Sequence, residues 1–264
     1  MVSAEAARSV ILETIDSTNA EALRRARAGE HGPVWIVSQR QSAGRGRRGR
    51  TWASPTGNLY ATLLLVDPAP AAAAPQLGFV TGLALFDAVT LAASGIASRL
   101  ALKWPNDLLH SGRKIAGILI EGEGIPLAAA VGIGVNCRSH PADVEYPATN
   151  FGAIGADVEP LVLLDHLAVV MARRIDEWQR GDGFATIRRA WLDRAAGLGE
   201  FLRVRLTDRE TIGKFENIDD GGKLLLRHGD GSLEAVASGE VFPMHEISAQ
   251  TGTHPQDAGG AAAR

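Results

Sequence analysis

Cysteine occurs once in the 264 residues, at Cys137, so no disulfide can form within the chain and a reducing compartment is expected. Excess basic charge is missing too. The 27 lysines and arginines stand against 30 acidic residues, and a formal net charge of -3 gives no overall field that draws the chain to nucleic acid or an anionic membrane. The longest apolar stretch, Ala69 to Ala93, is broken by Pro70, Pro75, Gly78, Gly82 and Asp87, which argues against a membrane span. Met1 to Arg8 is too short and polar for a signal peptide. The seven histidines show no metal-ligand spacing, no Ser-His-Asp grouping can be drawn, and no internal repeat is visible. A cytoplasmic protein is expected, free of disulfide framework and membrane anchor.

What is present reads as alternating strands and helices. Ser9–Thr14 is a short strand leading to Asp16-Ser17-Thr18-Asn19, a run of N-cap residues before a helix that ends at Gly29. Val34–Ser38, Asn58–Val66 and Arg99–Trp104 read as strands, and Ile115–Glu121 pairs with Leu127–Val135 after a turn at Ser111-Gly112-Arg113. Helical spacing marks Gln76–Ser94, Leu161–Arg180 and Phe184–Arg194. The fold class is therefore α/β of the α+β type, a mixed sheet with packed helices. After Gly199 the texture changes to short alternating segments split by Asp-Asp-Gly-Gly and Gly-Asp-Gly, the pattern of a small SH3-like β-barrel. The expected divisions are a catalytic domain over 1–198, the barrel over 199–248 and a disordered tail over 249–264.

Three local patterns carry chemistry. Gly44-Arg45-Gly46-Arg47-Arg48-Gly49-Arg50 cannot pack into a core, because unpaired guanidinium burial is too costly. Its glycines let backbone approach an anion and its arginines bind phosphate or carboxylate through paired donors. A flexible basic loop or a nucleic-acid patch fits the same spacing, although no aromatics are interleaved. Pro105 ends the strand of Lys103-Trp104-Pro105-Asn106-Asp107 and leaves Asn106 and Asp107 at its edge with their polar side chains free, and Lys114 opens the next strand with apolar flanks. A lysine held at a sheet end stabilises charge on a phosphoryl group, and Asp107 is a candidate Mg²⁺ ligand alongside phosphate oxygens. Singly, each residue is more often a polar turn or a solvated lysine. Gly132-Ile133-Gly134-Val135-Asn136 ends a strand on an amide suited to an adenine edge or a peptide group. Cys137 beside it is a small filler, with no histidine nearby in sequence.

Taken in order, Asp16-Ser17-Thr18-Asn19, Gln41-Ser42-Ala43 followed by the arginine loop and Trp52, Lys103–Asp107, Lys114-Ile-Ala-Gly-Ile-Leu and Gly132–Asn136 resemble the biotin–protein ligases. The match runs from about Ile11 to Asn136, and the small C-terminal barrel is similar as well. The resemblance implies an enzyme that forms biotinyl-5′-AMP from biotin and ATP, with Mg²⁺. It then transfers biotin to a lysine of a biotin carboxyl carrier protein of acetyl-CoA carboxylase or a related carboxylase. It implies that Ser17, Thr18, Asn19 and Gln41 bind biotin, and that Arg45, Gly46 and Arg47 close over biotin and its adenylate. Trp52 would pack near the adenine and Asn136 read its edge. Lys103, Asn106 and Asp107 would hold the phosphate and Mg²⁺ end, with Lys114 the catalytic lysine between carboxylate and α-phosphate.

Too few residues precede the first strand for the N-terminal helix-turn-helix of some members, so no nucleic-acid partner is expected. No membrane partner is expected either, and a monomer or a homodimer fits. Three alternatives stay open: a lipoate-ligase-like or octanoyl-transferring relative, a nucleic-acid-binding module, and a biotin-binding regulator without activity.

Overall fold

Segments buried on both faces have no solvent side to alternate with, and three of them build the centre of the main sheet. The computed structural model describes residues 7–142 and 144–244; the tail expected over 249–264 lies outside the described residues. The first half runs β1 (Arg8–Ile15), α1 (Thr18–Arg27), β2 (Val34–Gln41), β3 (Leu59–Val66) and α2 (Leu77–Ala92). It continues through β4 (Leu100–Lys103), β5 (Asp107–His110), β6 (Arg113–Glu123) and β7 (Ala128–Val135). These form one seven-stranded mixed sheet in the order β1-β2-β3-β7-β6-β5-β4. β1 runs parallel to β2 across the α1 connection, and every other neighbour is antiparallel. The buried runs of β2, β3 and β7 sit side by side in its middle.

α1 lies against β2, β3 and β7, with Ala22 and Leu23 packed on Val34, Ile36, Leu64 and Ala130. Gly29 takes φ +92, the left-handed position that ends a helix at little steric cost. The larger core clusters α2, α3 (Pro160–Trp178) and α4 (Phe184–Leu192) with strand residues such as Ala61, Leu63, Val131 and Ile133. α2 is apolar almost all round, and such a helix belongs in an interior. By length and composition Ala71–Ala92 passes for a membrane span, yet 67% of its apolar window is buried in the fold. Phe79 anchors this layer edge-on to Phe184 at 5.5 Å and to Trp191 at 5.4 Å.

The C-terminal part holds β8 (Phe201–Arg205), β9 (Glu210–Ile218), β10 (Leu224–Arg227), β11 (Leu233–Val236) and β12 (Glu240–Pro243). They make a second, wholly antiparallel sheet, ordered β11-β10-β9-β8-β12. Its core is continuous with that of the main sheet: Leu202, Val204, Phe215 and Ile218 belong to the same buried cluster as α2 and α4. The β9–β10 turn packs directly on the main domain. A Cβ on Gly222 would lie 2.7 Å from the Phe79 ring, and Trp104 Nε1 donates to the Gly222 carbonyl at 3.1 Å.

Two strands differ from the sequence expectation by being present at all. β5 is only four residues long and follows Pro105 and Asn106, a pair that reads as a terminus. β12 follows Ser238-Gly239 and is set by its pairing with β8.

Candidate active site

The end of β1 and the start of α1 form one wall. Asp16 accepts from Ser17 N at 2.7 Å and from both terminal nitrogens of Arg24 at 2.7 and 2.8 Å, and that guanidinium holds its carboxyl at about 2, below the usual carboxylate range. Ser17 caps α1, accepting from Ala20 N. Thr18 and Asn19 are thereby fixed as the first, buried residues of the helix. Thr62 Oγ1 lies 2.7 Å from Asn19 Oδ1 and 2.8 Å from Thr18 Oγ1. Because Thr62 donates to the amide oxygen, Asn19 Nδ2 faces the Leu119 carbonyl at 3.2 Å and Glu121 Oε2 at 2.8 Å. Gln41 Oε1 accepts from Thr18 N at 2.8 Å and Thr18 Oγ1 at 3.1 Å, while its Nε2 donates to Ser54 Oγ at 2.9 Å. The result is a wall of polar groups of fixed direction.

The floor is made of missing side chains. Thr62, Gly132 and Leu119 share one rung across β3, β7 and β6, and Tyr60, Gly134 and Gly117 share the rung two residues on. A Cβ on Gly132 would sit 2.3 Å from Asn19 Oδ1. On Gly134 it would sit 2.6 Å from the Trp52 ring, and on Gly117 3.0 Å from the same ring. The indole lies where neither strand carries a side chain, and its Nε1 is buried without a hydrogen-bond partner among the described residues.

Lys114 reaches this floor through an irregularity. Strict alternation would put it on the face opposite Gly117. The β5–β6 register shifts between Leu108 and Leu109, opposite Ile115, and both Ile115 and Ala116 turn into the core. That bulge re-aims Lys114 toward the site, as bulges do beside functional centres. Its Nζ lies 2.7 Å from Asp107 Oδ1 and 5.3 Å from the Trp52 ring centroid, and a Cβ on Gly117 would meet its Cε at 3.1 Å.

The arginine loop crosses above. Read alone it repels itself; in the fold its arms take separate partners. Arg45 reaches Glu121 at 2.9 Å, and Arg50 meets Glu240 at 2.5 Å and Glu145 at 3.9 Å. Arg47 donates to Asn106 Oδ1 at 3.0 Å, Ser238 Oγ at 3.1 Å and the Gly239 carbonyl at 3.4 Å. Burial pushes the Arg47 guanidinium down from its ordinary value, with Asp107 acting the other way. Arg48 is exposed at φ 55, and Gly46 N closes the turn on the Arg50 carbonyl at 2.7 Å.

The remaining candidates close the far end. Lys103 Nζ sits 3.3 Å from the centroid of the Tyr146 ring and 5.7 Å from that of Phe242. Asn106 corrects the expectation of a free side chain: its Nδ2 donates to the Ile118 carbonyl at 2.7 Å while its oxygen holds Arg47. Asn136 Nδ2 donates to the Thr149 carbonyl at 3.0 Å, which fixes how the amide faces the cleft. Ser17, Thr18, Asn19, Gln41, Arg45, Gly46, Arg47, Trp52, Lys103, Asn106, Asp107, Lys114 and Asn136 all line one cleft of about 550 Å³. Sequence reading missed the segment carrying Glu145 and Tyr146, the β12 residues Glu240 and Phe242, and Glu121. The first two lie in stretches without a motif, and a charge at a strand end reads as solvated.

Cys137 adjoins the cleft and takes no part in it. The thiol is fully buried, and burial pushes it up to about 12. At pH 8 only roughly one thiol in ten thousand would be ionised, so the native protein is expected to react with a disulfide reagent only as fast as it unfolds. Absorbance of the released thiolate, followed with and without denaturant, checks this; prompt labelling of folded protein would contradict the burial.

Residues 11–137 match the model of the biotin/lipoate A/B protein ligase family, and residues 198–243 match the biotin protein ligase C terminal domain. A biotin–[acetyl-CoA-carboxylase] ligase of Paracoccus denitrificans is 46% identical over 245 residues, covering 88% of this chain and 99% of that protein. The biotin protein ligase of Aquifex aeolicus, solved in complex with biotin and ATP, superposes with a TM-score of 0.76 at 26% identity, covering 89% of this chain and 97% of that one. The Leishmania major enzyme in complex with biotinyl-5-AMP gives 0.64 at 28% identity, covering 88% and 99%. The chain belongs to the biotin protein ligase family.

Proposed function

We infer that the protein activates biotin with ATP and passes the biotinyl group to a lysine of a biotin carboxyl carrier protein. The observation that supports this best is the meeting, in one cleft, of a directional amide–hydroxyl wall, a basic loop and a lysine beside a carboxylate. The wall of Thr18, Asn19 and Gln41 suits a ureido ring, which needs donors and acceptors together. Trp52 and Asn136 suit a purine. Arg47, Lys103 and Lys114 suit the polyphosphate and the carboxylate, two anions that repel each other until cations bring them together.

In the first step a biotin carboxylate oxygen attacks the α-phosphorus of ATP, and the bond to the β-phosphate bridge breaks, releasing pyrophosphate. In the second, the carrier's lysine amine attacks the acyl carbon of the mixed anhydride. An amide forms, AMP leaves, and the amine's surplus proton passes to solvent. The approach of Lys114 to Asp107 and to the Trp52 ring supports a role in stabilising the charge that builds around the α-phosphate, and a closed loop would keep water from the anhydride. Asp107 is the candidate Mg²⁺ contact. A single carboxylate already paired with an ammonium is a poor trap for a bare cation and suits a metal that arrives on phosphate oxygens. Once bound, Mg²⁺ supplies neutralisation of triphosphate charge. Residues 199–244 act as a docked cover that supplies Glu240 and Phe242, and a cytoplasmic setting suits an ATP-dependent enzyme with one unpaired cysteine.

The direct test is pyrophosphate release that needs both biotin and ATP, together with labelling of a carrier domain by radioactive biotin. No release with both present, or release that does not depend on biotin, would remove this reading. Loop closure gives a second expectation. Trypsin should cut at the exposed Arg48 in the free protein, and biotin plus ATP should slow that cut several-fold, because a ligand-ordered loop no longer enters a protease site readily. Equal rates with and without ligands would contradict a closing loop.

A further inference from the structure

Among the described residues, the arginine side chains tie the loop to the rest of the fold in three places, and two of them lie at the phosphate end. Arg47 reaches Asn106, Ser238 and Gly239, and Arg50 reaches Glu240 and Glu145. The third is Arg45 on Glu121, and it stands alone at the opposite end. Glu121 projects from β6 on the face that carries Gly117 and Leu119, and its side chain is 30% exposed. One oxygen, Oε2, accepts from Arg45 Nη2 at 2.9 Å and from Asn19 Nδ2 at 2.8 Å. The Asn19 amide is held at both ends, its oxygen by Thr62 at 2.7 Å and its nitrogen by the Leu119 carbonyl at 3.2 Å and by this carboxylate. A single carboxylate therefore joins the wall at the α1 N-terminus to the loop above it.

We propose that Glu121 is a positioning residue for biotin, a latch that couples the orientation of Asn19 to closure of the arginine loop over the biotin end of the cleft. The proposal rests on the ligase reading above. Loss of the latch leaves the phosphate-end ties untouched, so the effect falls on biotin and not on ATP. A strand-end glutamate serving only stability would behave otherwise, lowering the melting temperature and disturbing both substrates together.

Glu121→Gln is the sharp variant. It keeps the size of the side chain and an oxygen for Asn19 while removing the charge that holds Arg45. Biotin affinity by calorimetry and KM for biotin in pyrophosphate release are expected to worsen roughly three- to tenfold, the scale of a part-exposed charge-assisted hydrogen bond. kcat at saturating biotin and KM for ATP should stay within about twofold of wild type. Arg45→Ala should lose at least as much, because it also removes an arm that closes over biotin, and the double variant should be no worse than Arg45→Ala alone, since Glu121→Gln then has no partner left to lose. Biotin affinity unchanged in Glu121→Gln, or losses that simply add, would overturn the latch. Wild-type protein that binds no biotin would instead overturn the ligase reading, a result that the wild-type titration alone identifies.

Discussion

Lys114→Ala is expected to slow adenylate formation by roughly 10²–10³, the cost of losing one preorganised donor from a developing charge. Lys114 is held on the floor by the bulge at Ile115, 2.7 Å from Asp107, with the Trp52 face beside its ammonium. In the adenylation step negative charge grows on the α-phosphate and the departing pyrophosphate together. In the transfer step it grows on an acyl oxygen and on AMP, which already leaves readily. The same substitution should therefore reduce carrier labelling from supplied biotinyl-AMP far less than it reduces pyrophosphate release. Removing the ammonium also leaves Asp107 without its 2.7 Å partner, so Lys114→Arg is the useful companion. It keeps the charge but changes the geometry, and should recover part of the first step only. Adenylation within about threefold of wild type in Lys114→Ala would mean that another cation carries the role.

Adding one methyl group to the floor should be nearly as damaging. A Cβ at Gly132 would lie 2.3 Å from Asn19 Oδ1, and one at Gly134 2.6 Å from the Trp52 ring. Asn19 has little freedom to retreat, being bonded to Thr62, Leu119 and Glu121. Overpacking of this kind costs about 1–3 kcal/mol, which is roughly a five- to 150-fold change in an equilibrium constant. The two losses should fall on different ligands. Gly132→Ala should weaken biotin binding and Gly134→Ala nucleotide binding, each measured by calorimetry on the same preparations. Gly229→Ala is the control, since among the described residues nothing beyond its chain neighbours lies within 4 Å of its added Cβ, and it should change neither. If Gly132→Ala and Gly134→Ala bind both ligands and melt as wild type does, the floor is more yielding than its packing implies.

The parts of this site that were legible in sequence are those whose signal is local. Ser17 announces a helix start, Gly44–Arg50 announces a loop that no core accepts, and Lys114 announces a sheet-end cation by its apolar flanks. What was hidden depends on partners brought together by the fold. Gly132 and Gly134 read as the end of a strand, yet their purpose is set by Asn19 and Trp52, which arrive from far along the chain. Asn106 reads as an unengaged turn residue because neither the Ile118 carbonyl nor Arg47 is its neighbour in sequence. The bulge at Ile115 leaves no trace in a run of apolar residues, since Ile115 and Ala116 are equally at home facing inward or outward. β12 escaped notice because its edge position comes only from β8.

The paired glycines of β7 also act as a ruler. Gly132 admits the residue that fixes one end of the cleft and Gly134 admits the ring that marks the next, so the interval between those two stations is a single two-residue step of an extended strand, about 6.6 Å. Backbone hydrogen bonding to β3 and β6 on either side prevents that interval from stretching. A substrate laid along the trough is thus measured in units of strand rise. On the proposed reading, the length of the biotin arm, as much as the chemistry of its head, would set whether its carboxylate reaches Lys114.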